Sequence, residues 1–199
     1  MPFRAPPEEG LFAMTMPASC PRSTTGQPLD CACCALLAAL GVLAARPATL
    51  DAAISEARTT NEPLWCPVPD VLANALVAAA RRGWIRATDR ERDGGEPLYA
   101  LTDGGRAAFE ALMERPVPEC RTLSDIGIAL KTSLLGHLPP PRRAGILNEL
   151  HGELSRKRQG FGGAPSGYAR SREAARIDFD LAWIDRLRRQ LAEEGTERT

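Results

Sequence analysis

The protein has 199 residues, of which 44% are hydrophobic and 25% are charged, and these values are ordinary for a folded globular protein rather than a disordered one. Because 25 Lys and Arg residues balance 25 Asp and Glu residues, the zero formal charge argues against a highly basic nucleic-acid coat and against a polybasic membrane binder. Only 5% of residues are aromatic, and the many Ala and Leu residues favour helices over a β-sandwich.

The cysteines and the longest apolar run both indicate where in the cell the protein is located. Six clustered cysteines are too few for a secreted disulfide framework. The apolar run at residues 31–45 is shorter than the roughly 18 residues that a membrane span needs. Acidic residues before it do not suit a signal peptide. We therefore expect a cytoplasmic protein without membrane contact, in which this run is a buried helix.

Residues 1–27 differ in composition from the rest of the chain. They contain many prolines, with Ser and Thr between them, and no apolar period. This composition predicts a flexible N-terminal arm, and we expect the folded part to begin near Leu29.

Residues 28–114 begin with three predicted helices. They cover residues 31–45, 49–57 and 70–82, with Thr49 as the N-cap of the second helix and Gly83 ending the third. The predicted buried face of the third helix consists of Val71, Leu72, Ala75, Leu76 and Ala79.

After Gly83 the apolar period changes to two. Residues 84–88 and 97–101 predict two strands that a charged tip at residues 90–96 joins into a β-hairpin. A further helix is predicted over residues 104–113, after an N-cap. Three helices, a hairpin and a helix give the order of a winged helix-turn-helix, so we expect a mainly α fold with a small β-hairpin wing.

Residues 115–199 carry three amphipathic helical stripes. These are Leu123, Ile126, Leu130 and Leu134, then Ile146, Leu147, Leu150 and Leu154, then Ile177, Leu181, Ile184, Leu187 and Leu191, with Trp183 beside the last. A glycine-rich loop is predicted at residues 159–171. Because these stripes exceed what one small domain can cover, they predict a C-terminal helical region that forms a homodimer. The alternative is a helical hairpin packed on its own winged domain.

Two segments resemble the PadR family of bacterial transcriptional regulators. The sequence LYALTDGGR at residues 98–106 is similar to that family's second wing strand and its ending. Leu72, Ala75 and Leu76, followed by GWI at residues 83–85, are similar to its recognition helix and glycine exit. MarR-like regulators share the winged fold, but helices that follow the wing favour PadR. The resemblance implies a dimeric cytoplasmic repressor that binds a palindromic double-stranded DNA site and is released by a small effector, aromatic or other.

The resemblance also implies which residues would contact DNA. The helix at residues 70–82 would enter the major groove, and the hairpin would lie against a flanking minor groove. Asn74 is the polar side chain in the early part of that helix that could read a base edge. The arginines expected at phosphates are Arg81, Arg82, Arg86, Arg90 and Arg92. The alternative is a solvated surface on which Asp89, Glu91 and Asp93 pair with these arginines.

Charge favours a second hypothesis of a different class. Between residues 28 and 113, eleven acidic residues outnumber eight basic ones. The chain also has TLD at residues 49–51 where the family usually has His, Gly and Tyr, and DVLA at residues 70–73 where the family usually has Gly, Ser, Leu and Tyr. The alternative is a winged-helix protein-interaction module without DNA binding.

Four further residues are candidates for sensing. Cys66 precedes a proline near the start of the third helix, and a Cys-Pro step occurs in haem ligation. Because a helix N-terminus favours a thiolate, Cys66 is a candidate sensor of haem, a soft metal or an oxidant, with simple packing as the alternative. Trp65, Trp84 and Trp183 are candidates to line an effector pocket. No phosphate loop, nucleophile elbow, catalytic carboxylate pair or dinucleotide fingerprint is present in the sequence, so we do not expect an enzyme.

Overall fold

The computed structural model describes residues 26–60, 62, 64–91, 95–161 and 167–196. The predicted arm at residues 1–27 therefore lies outside the described residues, apart from its last two. The described part forms seven α-helices and one two-stranded antiparallel sheet. In chain order these are α1 (Cys31–Ala45), α2 (Leu50–Thr59), α3 (Pro69–Arg81), β1 (Ile85–Glu91), β2 (Pro97–Leu101), α4 (Asp103–Met113), α5 (Arg121–Leu134), α6 (Pro140–Gln159) and α7 (Tyr168–Thr196).

Polar caps begin three of the helices in the winged part. The Asp30 carboxylate accepts from the Cys33 N–H at 2.7 Å, and the Thr49 hydroxyl accepts from the Ala52 N–H at 3.2 Å. Thr102 caps α4 in the same way. The order helix, helix, helix, hairpin, helix is confirmed, with bounds within two residues of the predicted ones for every helix of this part.

Helix α1 is the centre of the core. Residues 33–43 are buried on every side because α2, α3 and α4 pack on α1 and α5 packs on it as well. Gly41 allows α5 to come close, since a Cβ atom built there would lie 2.5 Å from Leu134 Cδ2. The helix predicted over residues 31–45 is confirmed as buried. None of the described helices has the length and apolar character that a membrane span requires.

The wing is longer than predicted and has a third backbone partner. In the hairpin Ile85 pairs with Leu101, and Ala87 pairs with Tyr99, with an irregularity before Glu91. The first strand therefore continues three residues beyond the predicted end at residue 88. Ala48, between α1 and α2, exchanges two backbone hydrogen bonds with Tyr99, of 3.1 and 2.8 Å. This bridge fixes the wing to the start of α2.

The three C-terminal stripes pack on the chain's own core, as in the helical-hairpin alternative, so they do not by themselves require a partner chain. Most of their residues are buried, and Leu123, Leu181, Leu187 and Leu191 are half-buried against the core. Helices α6 and α7 pack on each other. The predicted loop at residues 159–171 is too long at both ends, because α6 includes Gln159 and α7 begins at Tyr168. Residues 162–166 lie outside the described part.

Four consecutive residues between α4 and α5, numbers 115–118, form what we call the junction segment. The Arg115 carbonyl accepts from Lys131 Nζ of α5 at 2.5 Å, and the Pro116 carbonyl accepts from the Leu29 N–H at 3.0 Å. The Val117 N–H donates to Glu153 Oε2 at 3.2 Å, and the Pro118 carbonyl accepts from Lys157 Nζ at 3.3 Å. Glu153 and Lys157 are both on α6, one turn apart. The junction segment therefore connects the winged part to α5 and α6 through polar contacts.

A lysine and a thiol are buried beside this segment. Lys131 is 1% exposed, and burial lowers its pKa to about 8, although the carboxylates of Glu153, Glu149 and Glu114 act in the opposite direction. Cys34 is equally buried, and burial is the main reason that its pKa is raised to about 12. Both shifts have the same physical cause, which is that the charged form loses its hydration.

We predict that Gly105→Ala destabilises the protein and that Gly104→Ala does not. A Cβ atom at Gly105 would lie 1.9 Å from the Trp84 carbonyl oxygen, whereas its nearest neighbour at Gly104 would be 3.7 Å away. Overpacking of this kind costs about 1–3 kcal/mol or more, because backbone must move. Urea unfolding of the two variants measures the difference. Equal urea midpoints for Gly105→Ala and Gly104→Ala would contradict the close contact between α4 and the Trp84 carbonyl.

We also predict that the free energy of unfolding rises by about 1 kcal/mol between pH 8 and 9. In this range the folded protein releases the Lys131 proton, while the unfolded chain keeps it up to its ordinary pKa of 10.5. The unfolded state then binds more protons, so stability increases with pH. From about pH 8 upward the gain is partly opposed, because Cys34 stays protonated in the folded state while its unfolded thiol, with a pKa of 9.0, ionises. Urea unfolding at a series of pH values measures both effects.

Two variants separate these contributions. Lys131→Met removes the rise between pH 8 and 9, and Cys34→Ala lets the rise continue toward pH 10.5. A wild-type profile that parallels the Lys131→Met profile would show that Lys131 is not the responsible group.

Candidate nucleic-acid interface

Helix α3 packs one narrow face on the core. Leu72, Leu76 and Ala79 are buried, and α1 is the main contact of this helix. Val71 is 39% exposed, so its predicted place on the buried face is wrong. Successive helical residues differ by about 100°, and the turn that buries Leu72 directs Val71 toward solvent.

The opposite face of α3 is free. Asp70, Asn74 and Arg81 are exposed along it at helical spacing, and Val77 is 45% exposed on the same side. The sequence identified Asn74 and Arg81 as candidates but missed Val77. A valine at an exposed position in a run of alanines carries no signal that distinguishes it from a core residue.

Two more of the predicted arginines, Arg82 and Arg86, lie at the end of α3 and on β1. Gly83 has a φ of +69°, a left-handed conformation that glycine adopts without strain, and it turns the chain from α3 into β1. The Arg82 guanidinium lies 5.0 Å from the centre of the Trp84 ring, a cation–π contact. Arg86 is exposed on β1. Three arginines therefore lie within six residues of the chain, at the end of α3 and on the first strand.

These arginines are available to bind phosphate. In the part of the chain that the structure describes, the ion pairs involve other cations, and none includes Arg81, Arg82 or Arg86. Of the other two predicted arginines, the Arg90 side chain and the whole of Arg92 lie outside the described residues.

Cys66 is exposed in the segment that leads into α3. Arg58 of α2 holds this segment, since its Nε donates to the Pro67 carbonyl at 3.1 Å and its NH2 group donates to Cys66 Sγ at 3.6 Å. No sequence signal points to Arg58, because the two segments are apart in the chain. Sensing at Cys66 stays a prediction. Among the described residues, no group of three or more His, Cys, Asp or Glu side chains is arranged to hold a metal ion.

The three tryptophans lie on different segments. Trp65 is half-buried before α3, and Trp84 is half-buried between α3 and β1. Trp183 is 40% exposed on α7, with Arg186 5.6 Å from its ring centre. That these residues line an effector pocket stays a prediction.

Comparisons with known proteins give structural matches only. Neither a family model nor a curated protein matches the sequence. Solved structures that resemble the chain include three of Bacillus subtilis PadR, each 16% identical to it. The complex with operator DNA has a TM-score of 0.36 and covers 78% of this chain and 98% of its own. The complex with p-coumaric acid has a TM-score of 0.36 and covers 82% of this chain and 98% of its own. A third structure of the same protein has a TM-score of 0.38 and covers 83% of this chain and 99% of its own.

Proposed function

We propose that the chain is a PadR-like transcriptional regulator that binds double-stranded DNA through α3 and the wing. The exposed face of α3 carries this proposal. It presents Asn74 in the middle of the helix, and Arg81 at its end is followed by Arg82 and Arg86 without carboxylate partners among the described residues. An amide can read an adenine edge, and guanidinium groups bind phosphate oxygens. Together they supply the two kinds of contact that sequence-specific DNA binding needs.

The proposed regulator acts as a homodimer. Phe179 is 70% exposed and Trp183 is 40% exposed, one turn apart on the side of α7 away from the buried Ile177 and Ile184. Exposed aromatic side chains of this size favour a partner surface. A second copy of the chain would cover them, and a two-fold symmetric dimer suits a palindromic site. We propose that the dimer is a cytoplasmic repressor that a small effector releases.

A protein-interaction module is the second candidate. Leu64, Val68, Val71 and Val77 are all at least 39% exposed near or on the outward face of α3. Such a patch could bind an apolar protein surface instead of base edges. This candidate needs none of the three arginines.

We predict that Arg81→Gln and Arg86→Gln weaken DNA binding and reduce its dependence on salt. Removal of one arginine–phosphate contact lowers the slope of log affinity against log salt by about 0.9, because fewer counterions are released. Fluorescence anisotropy with a duplex from the gene's own upstream region, at salt concentrations from about 50 mM, measures the slope.

Arg189→Gln is the matched control for this experiment. Arg189 is exposed on α7, away from α3 and the wing, and the slope should stay at the wild-type value. If wild-type protein does not bind DNA at about 50 mM salt, DNA binding is excluded and the interaction module is favoured.

We predict that Phe179→Asp with Trp183→Asp converts a dimer into a monomer. Two carboxylates placed in an apolar interface would lose hydration without gaining a partner, so association becomes unfavourable. Light scattering after size-exclusion chromatography measures the mass. Tyr168→Asp, at a 98% exposed side chain near the start of α7, serves as a charge control that keeps the dimer. A wild-type monomer at the same concentration would refute the dimer.

A further inference from the structure

The first turn of α1 carries two cysteines on one face. Cys31 is the first residue of the helix and Cys34 follows three positions later, so their side chains lie on the same side of it. In a regular helix, Cα atoms at this spacing are about 5 Å apart. Disulfides join Cα atoms that are about 4.4–6.8 Å apart. The backbone spacing is therefore suitable for a bridge within this turn.

The two thiols differ in accessibility. Cys31 is exposed, whereas Cys34 is 1% exposed in the core, and the structure holds both as free thiols. Burial raises the pKa of Cys34 to about 12, and Cys31 and Asp30 act in the same direction, so Cys31 is close enough to influence Cys34. An oxidant in solution can reach Cys31 but not Cys34. An accessible thiol beside a second, resolving thiol is the arrangement of redox-sensitive cysteine pairs.

Cys33 occupies a different side of the same turn. Residues one or two positions apart in a helix do not face each other, so Cys33 is directed away from both Cys31 and Cys34. It is buried, and its Sγ accepts from the Arg115 guanidinium at 3.0 Å. This contact holds Cys33 toward the junction segment. Of the three cysteines of α1, only Cys31 and Cys34 therefore have the spacing for a bridge.

We propose that Cys31 and Cys34 form a reversible redox centre, in which a small disulfide such as oxidised glutathione converts the two thiols into an intramolecular disulfide. This centre is separate from the sensor predicted at Cys66. It requires neither DNA binding nor a dimer. Disulfides that form in a reducing cytoplasm are transient and serve catalysis or redox sensing.

The reaction is two successive thiol–disulfide exchanges. The Cys31 thiolate attacks one sulfur of the small disulfide, the S–S bond of that molecule breaks, and one thiolate leaves. The Cys34 sulfur then attacks Cys31 Sγ and displaces the second thiolate. The two departing thiolates take up the two protons that the cysteines lose. Two electrons thus pass from the cysteines to the small disulfide, which is reduced to two thiols.

Closure of the bridge changes the start of α1. Cβ atoms three positions apart in a helix are about 5–6 Å apart, but a disulfide needs about 3.5–4.5 Å, so the first turn must tighten. The Asp30 carboxylate caps this turn through the Cys33 N–H at 2.7 Å. The preceding residue, Leu29, donates its N–H to the Pro116 carbonyl of the junction segment at 3.0 Å. We expect the bridge to weaken this Leu29 hydrogen bond.

The test uses the full chain with Cys20→Ser, Cys66→Ser and Cys120→Ser, so that the cysteines of α1 are the only thiols. The reduced protein is incubated with oxidised glutathione, and its intact mass is measured at successive times. We expect a transient adduct of one glutathione, then a product that has lost two hydrogen atoms and carries no glutathione. Excess dithiothreitol should restore the original mass.

Three further substitutions in this protein assign the roles. Cys34→Ala should accumulate the glutathione adduct, because the resolving sulfur is absent, and Cys31→Ser should form neither adduct nor bridge. Cys33→Ser is the matched control on the same turn and should form the bridge at the parent's rate. A lasting adduct or an unchanged mass in the parent, or a bridge in Cys31→Ser, would overturn the proposal. Thermal unfolding checks the fold of each variant, and Cys31→Ser, at an exposed position, keeps the test decisive if a buried substitution does not fold.

Amide hydrogen exchange, followed by NMR, tests the effect on the junction segment. In the oxidised protein the Leu29 amide should exchange about fivefold faster than in the reduced protein, which corresponds to roughly one net hydrogen bond. The control is the Ala48 amide, which donates to the Tyr99 carbonyl at 3.1 Å beyond the other end of α1 and should be unchanged. Equal exchange of Leu29 in both forms would overturn the expected link to the junction segment.

Discussion

Enclosure of α1 is the constraint on which the rest of the fold depends. Residues 33–43 have no exposed side, so three helices of the winged part and α5 of the C-terminal part must all reach the same short helix. Gly41 removes the side chain that would keep Leu134 away. The two parts therefore share one core, and a displacement of α5 relative to α1 would expose apolar surface of both.

The junction segment supplies directional contacts between the parts that share this core. Apolar packing has little preference for orientation, but the groups that hold residues 115–118 are hydrogen bonds with defined donors and acceptors. The deeply buried donor is Lys131, and burial lowers its pKa because the charged form loses its hydration. The contacts from α6 are made by Glu153 and Lys157, and both of these residues are only half-buried. Through these contacts α6 is held to the segment that follows α4.

Local signals in the sequence predicted most of the fold. Caps such as Thr49 and Thr102, and the glycine after α3, are chemical requirements of helix ends and can be identified one segment at a time. The bridge between Ala48 and Tyr99 could not be predicted, because it joins two segments through backbone atoms alone. Burial of Lys131 could not be predicted either, since lysine in an amphipathic helix normally indicates solvent. Polarity and charge identified Asn74 and the arginines as candidates, and their role in DNA binding stays a prediction. The exposure of Val71 was missed, because the sequence pattern did not take account of the 100° that separates Val71 from Leu72.

The acidic balance of the winged part and its proposed DNA binding are compatible because the charges are distributed unevenly. Several carboxylates of this part are engaged: Asp30 caps α1, Glu56 pairs with Arg46, and Glu110 pairs with Arg142. Arg81, Arg82 and Arg86, by contrast, lie within six residues of the chain and outside the ion pairs of the described residues. At a Debye length of about 8 Å in physiological salt, a phosphate near these arginines is screened only from carboxylates that lie farther away than that. The local arrangement of charge, rather than its sum, therefore decides whether this surface attracts DNA.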